Sequence, residues 1–257
     1  MYKIKMGKVT DEFYECWQIA AQFLESQSEE LRWLRGHLSP PFIEHLSFCL
    51  GNQIFFLQIF DVDEVLQTPN SNLNGLISFA KECNAISCLL PMKKIEKNWQ
   101  PQGKEWCLIN AETMEDINPK NLITEQEIEM SDWEIQDMAV TLVKDKLENE
   151  GKSIMSWQSN PGVYPSIWFE DEIGPQYVIV SAVRYPVKEG KLPENIEEIK
   201  REHKKLSSMG HFTSVMLVNT NDPFDFLAKK NGNFLPLIRG VGMVPKIGEL
   251  QPLEVHS

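Results

Sequence analysis

Residues 166–185, SIWFEDEIGPQYVIVSAVRY, decide the fold class. Two runs rich in β-branched and aromatic side chains, 166–170 and 176–185, flank the turn-forming stretch 171–175, which predicts an antiparallel hairpin. Pro186 stops the second arm. Upstream, Ser131-Asp-Trp-Glu134 carries a capping-box pattern, in which a serine hydroxyl bonds the third helical N–H and the glutamate reaches back. Ile135, Met138, Ala139, Leu142 and Leu147 then recur on one helical face, and Gly151 suits the left-handed position after the helix. Downstream, 194–208 predicts a charged helix with Ile196, Ile199 and Leu206 inside, followed by a strand at 211–218. A loop through 221–223 and a last apolar segment at 234–238 complete this half.

The same order appears nearer the N-terminus. Thr10 can cap a helix whose buried face is Phe13, Trp17, Ala20, Ala21 and Leu24, with Leu31 and Leu34 continuing the stripe until Gly36. Gly51-Asn52 sits between apolar runs at 42–50 and 53–60, a hairpin signal. A loop at 68–72 precedes a short helix through Leu73, Leu76, Ile77 and Ala80. A strand at 85–90 ends at Pro91, and 105–110 returns after a turn at 100–103. Thr10 matches Ser131, Gly51 matches Gly174, Ala85 matches Gly210 and Gly103 matches Gly232, at slowly growing separations. Order and spacing together predict an internal duplication. The expected protein is α+β, with two similar αββαββ halves at 1–110 and 131–257, each a small mixed sheet with helices. An acidic connector, 111–130, joins them.

Composition narrows the function. With 25 basic residues against 37 acidic, the formal net charge is −12, a surface that repels phosphate backbones and anionic membranes. Both halves share the acidity, so no basic module is set apart for nucleic acid. Lys3, Lys5 and Lys8 precede no apolar core of a signal peptide, and no stretch approaches the length of a membrane span. The five cysteines form no CxxC pair and predict free thiols in a reducing cytoplasm.

A helix, a hairpin, a crossover helix and a further strand resemble the core of the restriction-endonuclease-like, PD-(D/E)xK, nuclease fold, most clearly over 131–218. That resemblance implies an acid near the first hairpin strand and Glu/Asp-x-Lys on the second, holding a divalent metal that activates water. Here the first strand begins Tyr164-Pro165-Ser166-Ile167-Trp168, without the aspartate. The second, residues 176–184, has neither acid nor lysine, and 53–60 is equally bare. The scaffold is expected without its chemistry.

Phe60-Asp61-Val62-Asp63-Glu64 follows an apolar strand, as the Asp-x-Asp of many glycosyltransferases does, and such hard oxygen ligands suit Mg²⁺ or Mn²⁺ on a nucleotide diphosphate. The histidines show no metal-ligand spacing; His45 and Cys49 lie four apart on an expected strand, where Cys49 reads as core. No GxSxG, Walker loop or GxGxxG occurs, and no cofactor is expected. Among the seven tryptophans, Trp157 and Trp168 flank a polar stretch. Together with Tyr164 and Arg184 they form the candidate groove for a ligand or partner, Arg184 at the sheet edge as a possible anion contact.

The expected function is a non-catalytic cytosolic interaction protein on a nuclease-like scaffold. Its acidic surface suits a basic protein partner, as an immunity or inhibitor protein for a basic toxin would have. The competing expectation is a metal-dependent enzyme. That would be a nucleotide-sugar-using transferase with Asp61 and Asp63, or a divergent nuclease with Glu134, Asp137 and Asp171.

Overall fold

Thr10 opens the first helix as its sequence predicts: its Oγ1 accepts from the Phe13 N–H at 3.1 Å, and α1 runs Asp11–Gln27. The computed structural model describes residues 10–36, 46–66, 72–222 and 226–253. Residues 42–45 of the expected 42–50 strand (His45 among them), 68–71 of the expected loop, Pro223 and the three N-terminal lysines lie outside the described residues. The chain divides into two units, Met1–Glu127 and Ile128–Ser257.

In the first unit, α1 buries Phe13, Cys16, Trp17, Ala20 and Leu24. The helix does not extend to Leu34. Ser28 is extended, and Arg32–Arg35 forms the edge strand β1 instead. From a strand, Trp33 meets Trp17 edge-on at 4.9 Å and Phe48 at 5.7 Å, a packing that outweighs another helical turn. β2 (Leu46–Leu50) and β3 (Gln53–Asp61) form the expected hairpin about Gly51-Asn52, with Leu50 opposite Gln53. Asn72 caps α2 (Leu73–Glu82), which leads into β4 (Ile86–Ile95), parallel to β3.

Pro91 does not end β4. Its carbonyl accepts from Gln102 N–H, so its missing N–H lies on the same side. There β4 changes partners, from β6 (Leu108–Asn110) at Cys88 and Leu89 to β5 (Asn98–Pro101) at Met92–Ile95, and no ladder bond is lost. The stretch 111–130 contributes β7 (Asp116–Ile117), which pairs with β6, and a 3₁₀ turn at Pro119–Leu122.

The second unit begins with α3 (Asp132–Asn149), whose capping box is complete: Ser131 Oγ accepts from Glu134 N–H, and Glu134 Oε2 accepts from Ser131 N–H. β8 (Ser153–Trp157), β9 (Ile167–Asp171) and β10 (Gly174–Arg184) form an antiparallel meander containing the 166–185 hairpin. α4 (Ile196–His203) leads to β11 (Gly210–Asn219), parallel to β10. After α5 (Phe226–Asn231), β12 (Met243–Ile247) and β13 (Gln251–Pro252) both pair antiparallel with β11. The sheet order is β12-β11-β10-β9-β8. Segment 234–238 is not a strand of this sheet. Pro236 lacks an N–H, Leu237 enters the core, and Glu129 and Ile238 make an isolated bridge.

The protein is thus α+β with two sheet-containing halves, and each has three antiparallel strands where the sequence suggested two. Both units run helix, three-strand meander, helix, parallel strand, then two short antiparallel strands on that last strand. The register agrees as well. The separations from Gly51 to Gly174 and from Ala85 to Gly210 carry the pair Phe55–Ile86 onto Val178–His211, and Leu57–Cys88 onto Val180–Thr213. The late match of Gly103 with Gly232 does not hold, because β12 and β13 occupy the places of β5 and β6.

The β10–β11 layer is buried on both faces. Val178, Val180, Val215 and Leu217 pack under Ile135, Ala139, Val143 and Leu147 of α3. Tyr177, Ile179 and Phe212 pack with Ile199 of α4 on the other face. Among the described residues, no helix is long and apolar enough to cross a membrane.

Candidate functional site

The four groove residues do not converge. Trp157 pairs with Ile167 and packs against the α3-side core, with Lys144 Nζ 5.5 Å from its ring centroid. Trp168 and Tyr164 pack together in the cluster on the α4 face, where Trp168 meets Tyr177 at 5.3 Å. Strand alternation separates the two indoles: one faces α3, the other α4. Arg184 is at the end of β10, which is the central strand and not the edge.

The acids offered as metal ligands serve local structure. Asp61 is buried, and its carboxylate organises the turn after β3: Oδ1 accepts from Asp63 N–H, and Oδ2 from the N–H groups of Val65 and Leu66, each at 3.0 Å. Asp63 faces outward to Lys93 at 3.3 Å. Glu134 closes the capping box and receives two guanidinium bonds from Arg239. Asp137 is buried on α3 of the second unit. Asp171 pairs with Lys152 at 2.9 Å and accepts from Ile173 N–H, and these bonds, the lysine's first, hold its carboxyl below the usual carboxylate range. Among the described residues, no three His, Cys, Asp or Glu side chains gather as a metal site.

Cys16 and Cys88 are held as protonated thiols. Burial, then the nearby Asp61 charge, pushes Cys16 up to about 12, and burial alone raises Cys88. All five cysteines are free.

A polar group that the sequence did not single out occupies the α3 face near the β9–β10 turn. His211 Nε2 meets Gln176 Oε1 at 2.6 Å, beside Asp171 and Lys152. Its Nδ1 is buried without a hydrogen-bond partner, and burial lowers its pKa. In the first unit the matching ladder position is Ile86.

The candidate site is a cavity of about 240 Å³ at the carboxyl ends of β10 and β11. Open α/β sheets offer ligands this place because the connections there diverge. Arg184 and Tyr185 come from the end of β10, Leu217 and Asn219 from β11. Phe234 to Leu237 form a further wall, and the largely exposed Glu129 completes the lining on the solvent side. Asn219 Nδ2 donates to the Pro236 carbonyl at 2.7 Å, and Asp222 accepts from Leu235 N–H, which fixes that wall. Tyr185 and Phe234 meet edge-to-face with ring centroids 4.9 Å apart.

Arg184 gives one guanidinium nitrogen to Asp132 and another to the Met130 carbonyl. Its Nε makes no hydrogen bond and lies 4.0 Å from Glu129 Oε1. Of this lining the sequence named only Arg184. The rest comes from segments about 15 to 55 residues apart along the chain, with no local spacing to announce it.

Residues 133–253, from the first turn of α3 through β13, match the family model described as a domain of unknown function (DUF8840). Apart from Glu129, the cavity lining and the His211 group lie in the region similar to that family. No curated protein and no solved structure matches the chain.

Proposed function

We propose that this chain is a non-catalytic, cytosolic interaction protein on a restriction-endonuclease-like scaffold that lacks the nuclease chemistry, and that it binds a basic protein. The observation that carries the reading is the use of its carboxylates. Asp61, Glu134, Asp171 and Asp222 are engaged by backbone amides, arginine or lysine that build the fold. An enzyme of the PD-(D/E)xK kind needs such groups free and convergent.

The nuclease positions support the same reading. Under the proposed resemblance Ser166 takes the place of the family's aspartate, and its hydroxyl accepts from Val180 N–H at 3.1 Å. The second hairpin strand, residues 176–184, offers neither an acid nor a lysine. Helix, hairpin, crossover helix and parallel strand, with β8 as an additional antiparallel strand, support the resemblance. The buried charges, Asp61, Glu134, Asp137 and Asp222 against Arg35 and Arg239, account for little of the net −12, and the remaining excess of acids steers a basic partner. Five free thiols suit a reducing compartment.

The test uses the full chain immobilised and exposed to its native lysate. Capture of a basic protein that is released as salt rises from about 0.05 to about 0.5 M is the expected result. No salt-sensitive partner overturns the interaction reading. Titration with Mg²⁺ or Mn²⁺ supplies the second arm: saturable binding that is lost in Asp61→Ala or Asp137→Ala overturns the non-catalytic reading.

A further inference from the structure

We infer that the cavity at the ends of β10 and β11 receives a lysine or arginine side chain of the partner protein, an inference that rests on the interaction reading above. Size comes first. At about 240 Å³ the cavity falls below the roughly 300–1,000 Å³ of most small-molecule pockets, yet it has room for one long side chain.

The walls then decide the chemistry. Leu217, Leu235 and Leu237 offer apolar surface for an aliphatic stem, and long basic side chains bury such stems while keeping the charged head near water. Tyr185 and Phe234 bring π-systems to the lining, whose ring faces attract cations.

Charge at the mouth points the same way. Arg184 suggests an anion site when read alone, but its guanidinium is committed to Asp132 and Met130. One guanidinium faces two carboxylates, Asp132 and Glu129, so the local balance is negative. An anion approaching Nε would come against Glu129, 4.0 Å away. Glu129 is 60% exposed and makes no hydrogen bond to Arg184, so its carboxylate is placed to receive an incoming ammonium or guanidinium.

The test is NMR titration of the full chain with n-butylguanidinium, n-butylammonium and butyrate at constant ionic strength. The expected result is saturable shifts of the Tyr185 and Phe234 ring resonances with the two cations, and none with butyrate. Glu129→Gln weakens cation binding severalfold, whereas Glu172→Gln, which removes an acid at the β9–β10 turn, leaves it unchanged. Phe234→Ala weakens it without changing the dispersion of the remaining spectrum. Saturation by butyrate, absence of saturation by both cations, or equal affinity in Glu129→Gln overturns the inference. The two readings fail separately. Salt-sensitive capture of a partner without cation titration removes the cavity alone, whereas cation titration without any partner removes the interaction reading.

Discussion

Glu134 and Arg239 form a buried, bidentate ion pair across 105 positions of the chain. Arg239 Nε donates to Oε1 and a terminal nitrogen to Oε2, both at 2.8 Å, with each side chain 5% exposed. Glu134 also closes the α3 capping box, so the pair ties the start of that helix to the segment that walls the cavity. A buried charge without its partner is costly, and that makes the pair a sensitive probe.

Arg239→Met is expected to lower stability by about 3–5 kcal/mol, because it leaves Glu134 charged and buried. Adding Glu134→Gln to that variant recovers part of the loss, since an amide still reaches Ser131 without a charge to bury. Urea unfolding of the two single variants and the double variant reads the coupling. Additive losses would contradict a coupled pair.

Asp61→Asn replaces one carboxylate oxygen with an NH₂ and cannot accept from Asp63, Val65 and Leu66 together as the carboxylate does. The expected cost is about 1–3 kcal/mol, seen as a lower urea midpoint. An unchanged midpoint would mean that the turn does not depend on this side chain.

Gly210 lies opposite Tyr177 in the parallel ladder, and a Cβ at Gly210 would fall 2.7 Å from Tyr177 Cε2. Tyr177 is buried on both sides and cannot swing away cheaply. Gly210→Ala is expected to destabilise by about 1–3 kcal/mol, and the same change in a Tyr177→Leu background by much less. Thermal unfolding of the three variants makes the comparison.

His211 is expected to make stability fall on acidification. Burial, its largest influence, holds the imidazole below the ordinary 6.5, opposed by Asp171 and reinforced by Lys152. The unfolded chain therefore takes up a proton before the folded chain does. Stability is fully present above about pH 6.5 and is lost as pH falls through the folded value. A melting series from about pH 5 to pH 8 shows this slope, and His211→Phe removes it. A slope unaltered in the variant would assign it to other groups.

Much of the fold was legible because its signals are local. Thr10 and the Ser131–Glu134 box mark helix starts through bonds spanning three residues. Gly51-Asn52 and the 171–175 stretch mark hairpin turns, where a few backbone angles decide the pairing. The repeat was legible for the same reason, since matched turns preserve matched ladders.

What escaped depends on distant partners. β1 read as more helix because Leu31 and Leu34 continue the stripe of α1, and the contacts of Trp33 with Trp17 and Phe48 are what favour a strand. Pro91 read as a strand end because its tolerance depends on where β5 replaces β6. Trp157 and Trp168 read as one groove because both are large and near in sequence, yet pleat alternation sends them to opposite faces.

The α+β class, the two hairpins, the repeated order of elements and the acidity can be read from the residues because each is a property of short windows or of sums. The tertiary structure alone decided which acids are structural and where a cavity opens. Hydrogen-bond geometry and burial join residues as distant as Glu134 and Arg239, and no spacing along the chain encodes that meeting.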